Sequence, residues 1–358
     1  MSQQKIREMA NFIWNIADEL LRDNYKRSEY ADVIYPFTIF RRLDLILEPT
    51  NDAVQEAHEK YKYELKDLTD VLSRATGYPF YNTSKYTMSK LLNEASNIKE
   101  NFLEFLNGFS DNIQEIIDNF EFRHIVQGLH EKDLLYRITK KFTDPQINLH
   151  PDYLSNHDMG YVFEELIRKY NEATNENPGE HFTPREIVTL MVKMLISKDK
   201  EKLSQPGLIT TIYDPACGTG GMLSVAKEQI LQLNSKAKIE LFGQEINNKT
   251  YATSKSDMLI KGEDPDKIKK GSSFSRDGFM GKHFDYIFSN PPYGKKWSYD
   301  EVFIRNEAST GGRFDAGLPS ISDGQLLFLQ HMISKMHQYG HLTRIAIVFN
   351  GSPLFNGD

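Results

Sequence analysis

The feature that most constrains this chain is a change of pattern at Leu208. From there, short apolar runs alternate with helix-length stretches, which predicts a parallel sheet with helices on both faces. Strands are expected over residues 208–213, 239–244, 268–270, 284–288 and 344–349, with helices over 222–233 and 325–336. Ahead of Leu208 the apolar spacing is helical only, over 5–23, 30–47, 54–65, 89–109, 113–122 and 132–141. Pro36 is expected to kink the second of these or to sit in its first turn. No strand pattern precedes about residue 144, and no internal repeat is seen. The reading is an α/β chain: an all-helical N-terminal domain, 1–150, then a sheet domain, 151–358.

The 358 residues suffice for two such domains, each with its own core. No run approaches the roughly 18 apolar residues of a membrane span, and the first residues lack a signal-peptide apolar segment, so a cytoplasmic protein with no membrane partner is expected. Cys217 is the only cysteine, which rules out a disulfide within the chain and metal clusters of the cysteine type. His124, His130 and His150 are isolated and read as surface or core residues, so no metal site is expected. The net charge of −7 argues against wrapping a long nucleic acid unaided. A role on DNA needs a local basic patch or a basic partner.

Two loops at predicted strand ends carry the chemistry. The first is Asp214-Pro215-Ala216-Cys217-Gly218-Thr219-Gly220-Gly221, whose glycines let the backbone turn sharply and approach a ligand. A nicotinamide loop has its glycines in the order Gly-x-Gly-x-x-Gly, and an acid at the opening repels phosphate. An amino-acid ammonium is welcome there instead. Glu245, at the tip of the next strand, suits a ribose diol. S-adenosylmethionine carries an ammonium, a ribose diol and an adenine, so this one ligand accounts for Asp214, the glycines and Glu245. Cys217 sits inside this loop and is read as structural, not as a nucleophile.

The second loop is Ser289-Asn290-Pro291-Pro292-Tyr293-Gly294. The Asn290 side-chain carbonyl and the Pro291 carbonyl can both accept from one amino group while Tyr293 stacks on the ring that bears it. Two such bonds push a planar exocyclic amine toward tetrahedral geometry and free its lone pair. A Pro-Pro turn that merely closes a strand explains the same residues. Upstream, residues 171–179 are polar and read as a linker. Thr183, Pro184 and Glu186 then form a capping-box start for a helix over 187–196, which leaves His181 and Phe182 unexplained. A helix N-terminus beside an aromatic also suits an adenosyl ligand with a carboxylate.

With Gly-Glu-His-Phe-Thr-Pro-Arg from Gly179, Asp-Pro-Ala-Cys-Gly-Thr-Gly-Gly from Asp214 and Asn-Pro-Pro-Tyr from Asn290, in that order, the chain resembles the modification subunit of type I restriction–modification systems. These are adenine-specific DNA methyltransferases. The resemblance implies a Rossmann-like S-adenosylmethionine-dependent methyltransferase sheet. It implies that Gly179, Glu180, His181, Phe182, Thr183, Pro184, Asp214, Gly218, Thr219, Gly220, Gly221 and Glu245 line the methyl-donor pocket. Asn290, Pro291, Pro292 and Tyr293 would hold the target adenine. The implied partners are DNA, a specificity subunit that reads the DNA sequence, and a restriction subunit, with two modification subunits per specificity subunit.

Two departures stand out. Ser272 takes the place where relatives often carry an acid that contacts the cofactor adenine. The chain also ends soon after the fifth strand of a sheet that has seven in this family, so a fragment is expected, truncated there and with that strand at an exposed edge. The alternatives are a cofactor-binding scaffold without catalysis, or N-methylation of protein glutamine or RNA. Residues 295–323 show little apolar periodicity and carry Lys295, Lys296, Arg305 and Arg313. They are expected to form a mobile, DNA-facing lid, or else a flexible insertion.

Overall fold

Among the described residues of this computed structural model (3–174, 183, 185–338 and 342–351), the first half of the chain is helical. It forms α1 (Gln3–Leu20), α2 (Tyr30–Leu47), α3 (Asn51–Tyr61), α4 (Thr69–Thr76), α5 (Ile98–Asn107), α6 (Asp111–Asn119), α7 (Phe122–Glu131), α8 (Leu135–Phe142) and α9 (Asn156–Thr174). The second half alternates: α10 (Arg185–Ile196), α11 (Lys200–Leu203), β1 (Ile209–Asp214), α12 (Gly221–Leu233), β2 (Lys238–Glu245), α13 (Asn248–Ile260), β3 (Ile268–Lys270), β4 (Tyr286–Ser289), α14 (Glu301–Ser309), α15 (Gln325–Ser334) and β5 (Arg344–Ile347). The chain divides into two compact units, one of residues 1–176 and 255–265, the other of 177–254 and 266–358.

In the first unit α2 is buried on nearly every side, as a helix without a polar face must be. The helix continues past Pro36, which lies in its second turn. Phe37 and Phe40 pack against Phe122 with ring centroids 5.2 and 4.9 Å away, and Phe102 and Phe142 complete the cluster. Arg42 is fully buried in the same helix. Its guanidinium donates to the carbonyl of Leu154 (2.8 Å), to Asn156 Oδ1 (2.6 Å) and to the carbonyl of Leu149.

The second unit holds a five-stranded, wholly parallel sheet in the order β3-β2-β1-β4-β5. All four β4 residues are buried, which is why this strand reads as an unbroken apolar run. Tyr213, Phe242, Phe279, Phe284, Ile287 and Met332 form the core on one side of the sheet. All five expected strands are present and the helical-then-alternating order holds.

The differences have physical causes. Residues 113–122 do not make one helix, because Glu121 takes a left-handed φ of +54° and separates α6 from α7. Residues 89–109 break into two short 3-10 turns before α5. The stretch 171–179 is not wholly linker, since α9 continues to Thr174, anchored by Met159, Val162, Phe163, Leu166 and Ile167 at helical spacing. α13 buries Thr253, Ser254, Lys255 and Ser256, so no apolar stripe announces it.

Residues 295–323 are not a structureless lid. They contain α14, and Trp297, Ile304 and Phe314 pack with Phe274 and Leu327 into a second buried cluster. Trp297 Nε1 donates to the Ser320 carbonyl (2.9 Å) and closes the segment on itself. Arg313 is also not a surface cation for phosphate. It is mostly buried, pairs with Glu307 (2.7 Å) and donates to the Ser273 carbonyl (2.9 Å). Arg305 pairs with Glu301 one turn away.

Candidate active site

Strand order reverses between β1 and β4, and in open parallel sheets ligands bind outside the carboxyl ends of strands at such a switch point. The two loops picked out above start from these two strand ends. Asp214 closes β1 and Ser289 closes β4.

Asp214 is buried, and its Oδ1 accepts from the Ala216 N–H (3.0 Å) and from the Ser289 hydroxyl (3.2 Å). Burial, with Glu245 as a minor contributor, pushes its pKa from 3.8 up to about 7, against the hydrogen bonds that favour the anion. The carboxyl thus ties the glycine loop to the residue just before Asn290.

The loop is fixed from its own backbone. Cys217 N–H donates to the Gln244 carbonyl (3.0 Å) and Gly218 N–H to Glu245 Oε2 (3.0 Å). Gly218 and Gly220 hold left-handed φ values of +55° and +83°, the second opening α12 at Gly221. A Cβ on Gly218 would meet no atom within 4 Å, so the chain is bare on that side. Thr219 lies half-buried between them. Cys217 is buried and abuts Gly243, where a Cβ would stand 2.8 Å from its sulfur. Burial raises its thiol well above the ordinary value, so it is a packing residue and a poor nucleophile.

Glu245 ends β2 with both oxygens engaged. Oε1 accepts the Asn247 N–H (2.7 Å) and Oε2 that of Gly218. Burial raises the Glu245 pKa, against the backbone N–H groups of Asn247, Gly218 and Ile246, which favour the anion. Ile246 beside it is 66% exposed. At the tip of β3, Ser272 donates to Asp300 Oδ2 (2.8 Å) and Ser275 donates to the other oxygen. A carboxylate therefore stands at this loop after all, delivered by the segment before α14. Sequence reasoning missed Asp300, because it lies 28 residues from Ser272.

The Asn290 amide is held at both ends. Its Nδ2 donates to Thr183 Oγ1 (2.8 Å), and its Oδ1 accepts from the Tyr293 hydroxyl. Pro291 is buried, Pro292 and Tyr293 are half-buried, and Gly294 ends the turn with φ +59°. Burial raises the Tyr293 pKa, so the phenol is a neutral donor. Arg185 pairs with Glu228 on α12 (2.6 Å) and fixes the start of α10, two residues from Thr183. Direct bonds thus link Asp214 to Ser289, Gly218 to Glu245, and Asn290 to both Thr183 and Tyr293. Gly179, Glu180, His181, Phe182 and Pro184 lie outside the described residues.

The sequence profile of the family described as N-6 DNA Methylase matches residues 154–358, more than half of the chain. The chain belongs to the N-6 DNA methylase family. The profile of the HsdM N-terminal domain matches residues 9–142. The type I restriction enzyme MjaIX methylase subunit of Methanocaldococcus jannaschii is 23% identical over 91% of this chain and 58% of its own length. The HindI methylase subunit of Haemophilus influenzae is 29% identical over 59% of this chain and 44% of its own. The chain thus spans about half the length of these curated relatives. A solved type I restriction–modification methyltransferase subunit from Streptococcus thermophilus superposes with a TM-score of 0.70 at 19% identity, covering 99% of this chain and 76% of that one. It shares the fold. In this methylase chain every candidate site residue falls within the stretch that the family profile matches.

Proposed function

We propose that this N-6 DNA methylase chain transfers a methyl group from S-adenosylmethionine to the exocyclic N6 amine of adenine in DNA, as the modification subunit of a type I restriction–modification complex. The observation that carries the reading is the Asp214–Ser289 bond, which holds the glycine loop and the Asn290 turn side by side at the switch point. In the complex, a specificity subunit reads the DNA sequence, two modification subunits flank it, and a restriction subunit joins them in the cytoplasm.

The residues present fit the cofactor. The bare side of Gly218 admits a ligand close to the backbone, Asp214 attracts an ammonium, and Glu245 at the tip of β2 suits a ribose diol. Thr219, Gly220 and Gly221 complete the cradle. Gly179, Glu180, His181, Phe182 and Pro184 belong to the same pocket in this reading. When bound, S-adenosylmethionine supplies an electrophilic methyl on a sulfonium.

The chain's own residues prepare the amine. A base within a duplex cannot reach Asn290, so the target adenine is flipped out at a cost of a few kcal/mol. Stacking on Tyr293 returns about 1–3 kcal/mol. Asn290 Oδ1 and the Pro291 carbonyl then accept the two amine protons, which concentrates the lone pair on nitrogen. Pro292 stiffens the turn that aims them. The effect is one of orientation and hydrogen-bond polarisation.

The test is to incubate the full-length protein with labelled cofactor and DNA, with and without its specificity subunit, and to digest the product to nucleosides. Label in N6-methyladenine that depends on the specificity subunit supports the reading. Label in protein or RNA alone, or cofactor binding with no transfer, overturns it.

A further inference from the structure

The bond from Asn290 Nδ2 to Thr183 Oγ1 joins residues 107 positions apart in the chain. Its consequence lies in the chemistry of an amide, whose carbonyl only accepts and whose NH₂ only donates. Turned over, Asn290 would offer donors to an incoming amine that is itself a donor, and no polarising bond would form. The amide must therefore stay in place, carbonyl toward the incoming amine, while the base enters. Tyr293 does not suit that task, because its hydroxyl bonds Oδ1, the atom the amine needs. Thr183 bonds the opposite end, so the arrival of a base leaves its contact intact. A hydroxyl can also donate, so this contact fixes the place of the amide, and the donor amine itself selects the carbonyl end. Two residues on, Arg185 pairs with Glu228, and Val188 and Val192 of α10 are buried, so the helix that follows Thr183 is anchored.

We propose that Thr183 is a positioning residue for methyl transfer, holding the Asn290 amide in place with its carbonyl toward the target amine, and that it does not bind the cofactor. The Tyr293 hydroxyl is then the occupant of that carbonyl which the adenine amine replaces. This rests on the function proposed above and departs from the role that the resemblance implies for Thr183.

The experiment uses the full-length protein assembled with its specificity subunit and compares Thr183→Val with Thr183→Ser. The first removes the hydroxyl at nearly constant shape, and the second restores it. With Val, kcat at saturating cofactor and DNA is expected to fall about 10- to 100-fold, because a misaligned acceptor loses orientation. Cofactor Kd by calorimetry is expected to stay within about twofold, which also shows that the variant is folded. Thr183→Ser should come back to within about threefold of the unsubstituted kcat. A cofactor Kd weakened more than about tenfold with kcat intact would make Thr183 a cofactor ligand and overturn the proposal. So would an equal kcat loss in both variants, which would place the effect in the backbone. The function is judged on the unsubstituted enzyme and Thr183 on ratios among variants, so the two readings fail separately.

Discussion

At the scale of single residues, the site is governed by where its protons and lone pairs are. Asn290→Asp keeps the size of the side chain but removes the NH₂ that reaches Thr183 and adds a charge. Methyl transfer is expected to fall at least ~100-fold, about 2.7 kcal/mol, with cofactor affinity retained. Turnover near the unsubstituted level in a single-turnover assay would remove Asn290 from the mechanism.

Asp214 yields a prediction in pH. Burial raises its pKa from 3.8 to about 7, so the folded protein binds this proton more tightly than the unfolded chain does. Its contribution to stability therefore falls as pH rises from about 4 to about 7 and is level above that. A cation bound beside it favours the carboxylate, so cofactor affinity should rise across the same window, and binding below pH 7 should release a proton. Calorimetry in two buffers of different ionisation enthalpy at pH 6 measures that release, and Asp214→Asn should abolish it. A flat affinity from pH 5 to 8 would show that the ammonium lies elsewhere. The placing of Asp214, the glycine loop and Glu245 at strand ends was legible because the strands announce themselves in the sequence. The Thr183–Asn290 pair was not, since only the folded sheet brings it together.

At the scale of elements, parallel strands were easy to read because burial on both faces leaves continuous apolar runs, as in β4. Residues 295–323 were misread for the opposite reason. Their anchors, Trp297, Ile304, Phe314 and Leu318, fall at irregular intervals among glycine, serine and aspartate, so no period exposes them. The segment owes its order to long-range contacts centred on Arg313, which meets Glu307, the Ser273 and Phe274 carbonyls and His331 (2.8 Å). Arg313→Ala leaves Glu307 and those carbonyls without their partner and should cost about 3–5 kcal/mol, the range for breaking a buried pair from one side. Chemical denaturation followed by tryptophan fluorescence, with Trp297 inside the cluster, reads it directly. A loss below about 0.5 kcal/mol, as at an ordinary surface position, would return the segment to a loose insertion.

At the scale of the molecule, the question is which residues make the helical unit complete. The sequence divides the chain at residue 150, where helical periodicity gives way. We propose that the contacts closing this unit lie further on. Arg42 is fully buried, and of its acceptors only the Leu149 carbonyl precedes that point, while the Leu154 carbonyl and Asn156 follow it. Asn156 in turn donates to the Ile260 carbonyl (2.6 Å), and the buried Lys255 pairs with Glu115. No local pattern reveals such closure, since Arg42 and Asn156 are 114 residues apart. A fragment of residues 1–150 leaves a buried guanidinium short of two acceptors, and a buried charge without its partners costs about 3–5 kcal/mol. That is a large share of the roughly 5–15 kcal/mol that holds a domain together. The fragment 1–150 should therefore unfold at much lower urea than 1–176, which recovers Leu154 and Asn156. The longer fragment should in turn fall short of the intact chain, because it lacks 255–265. Equal midpoints for the two fragments, with equal slopes, would show that Arg42 finds all it needs before residue 150.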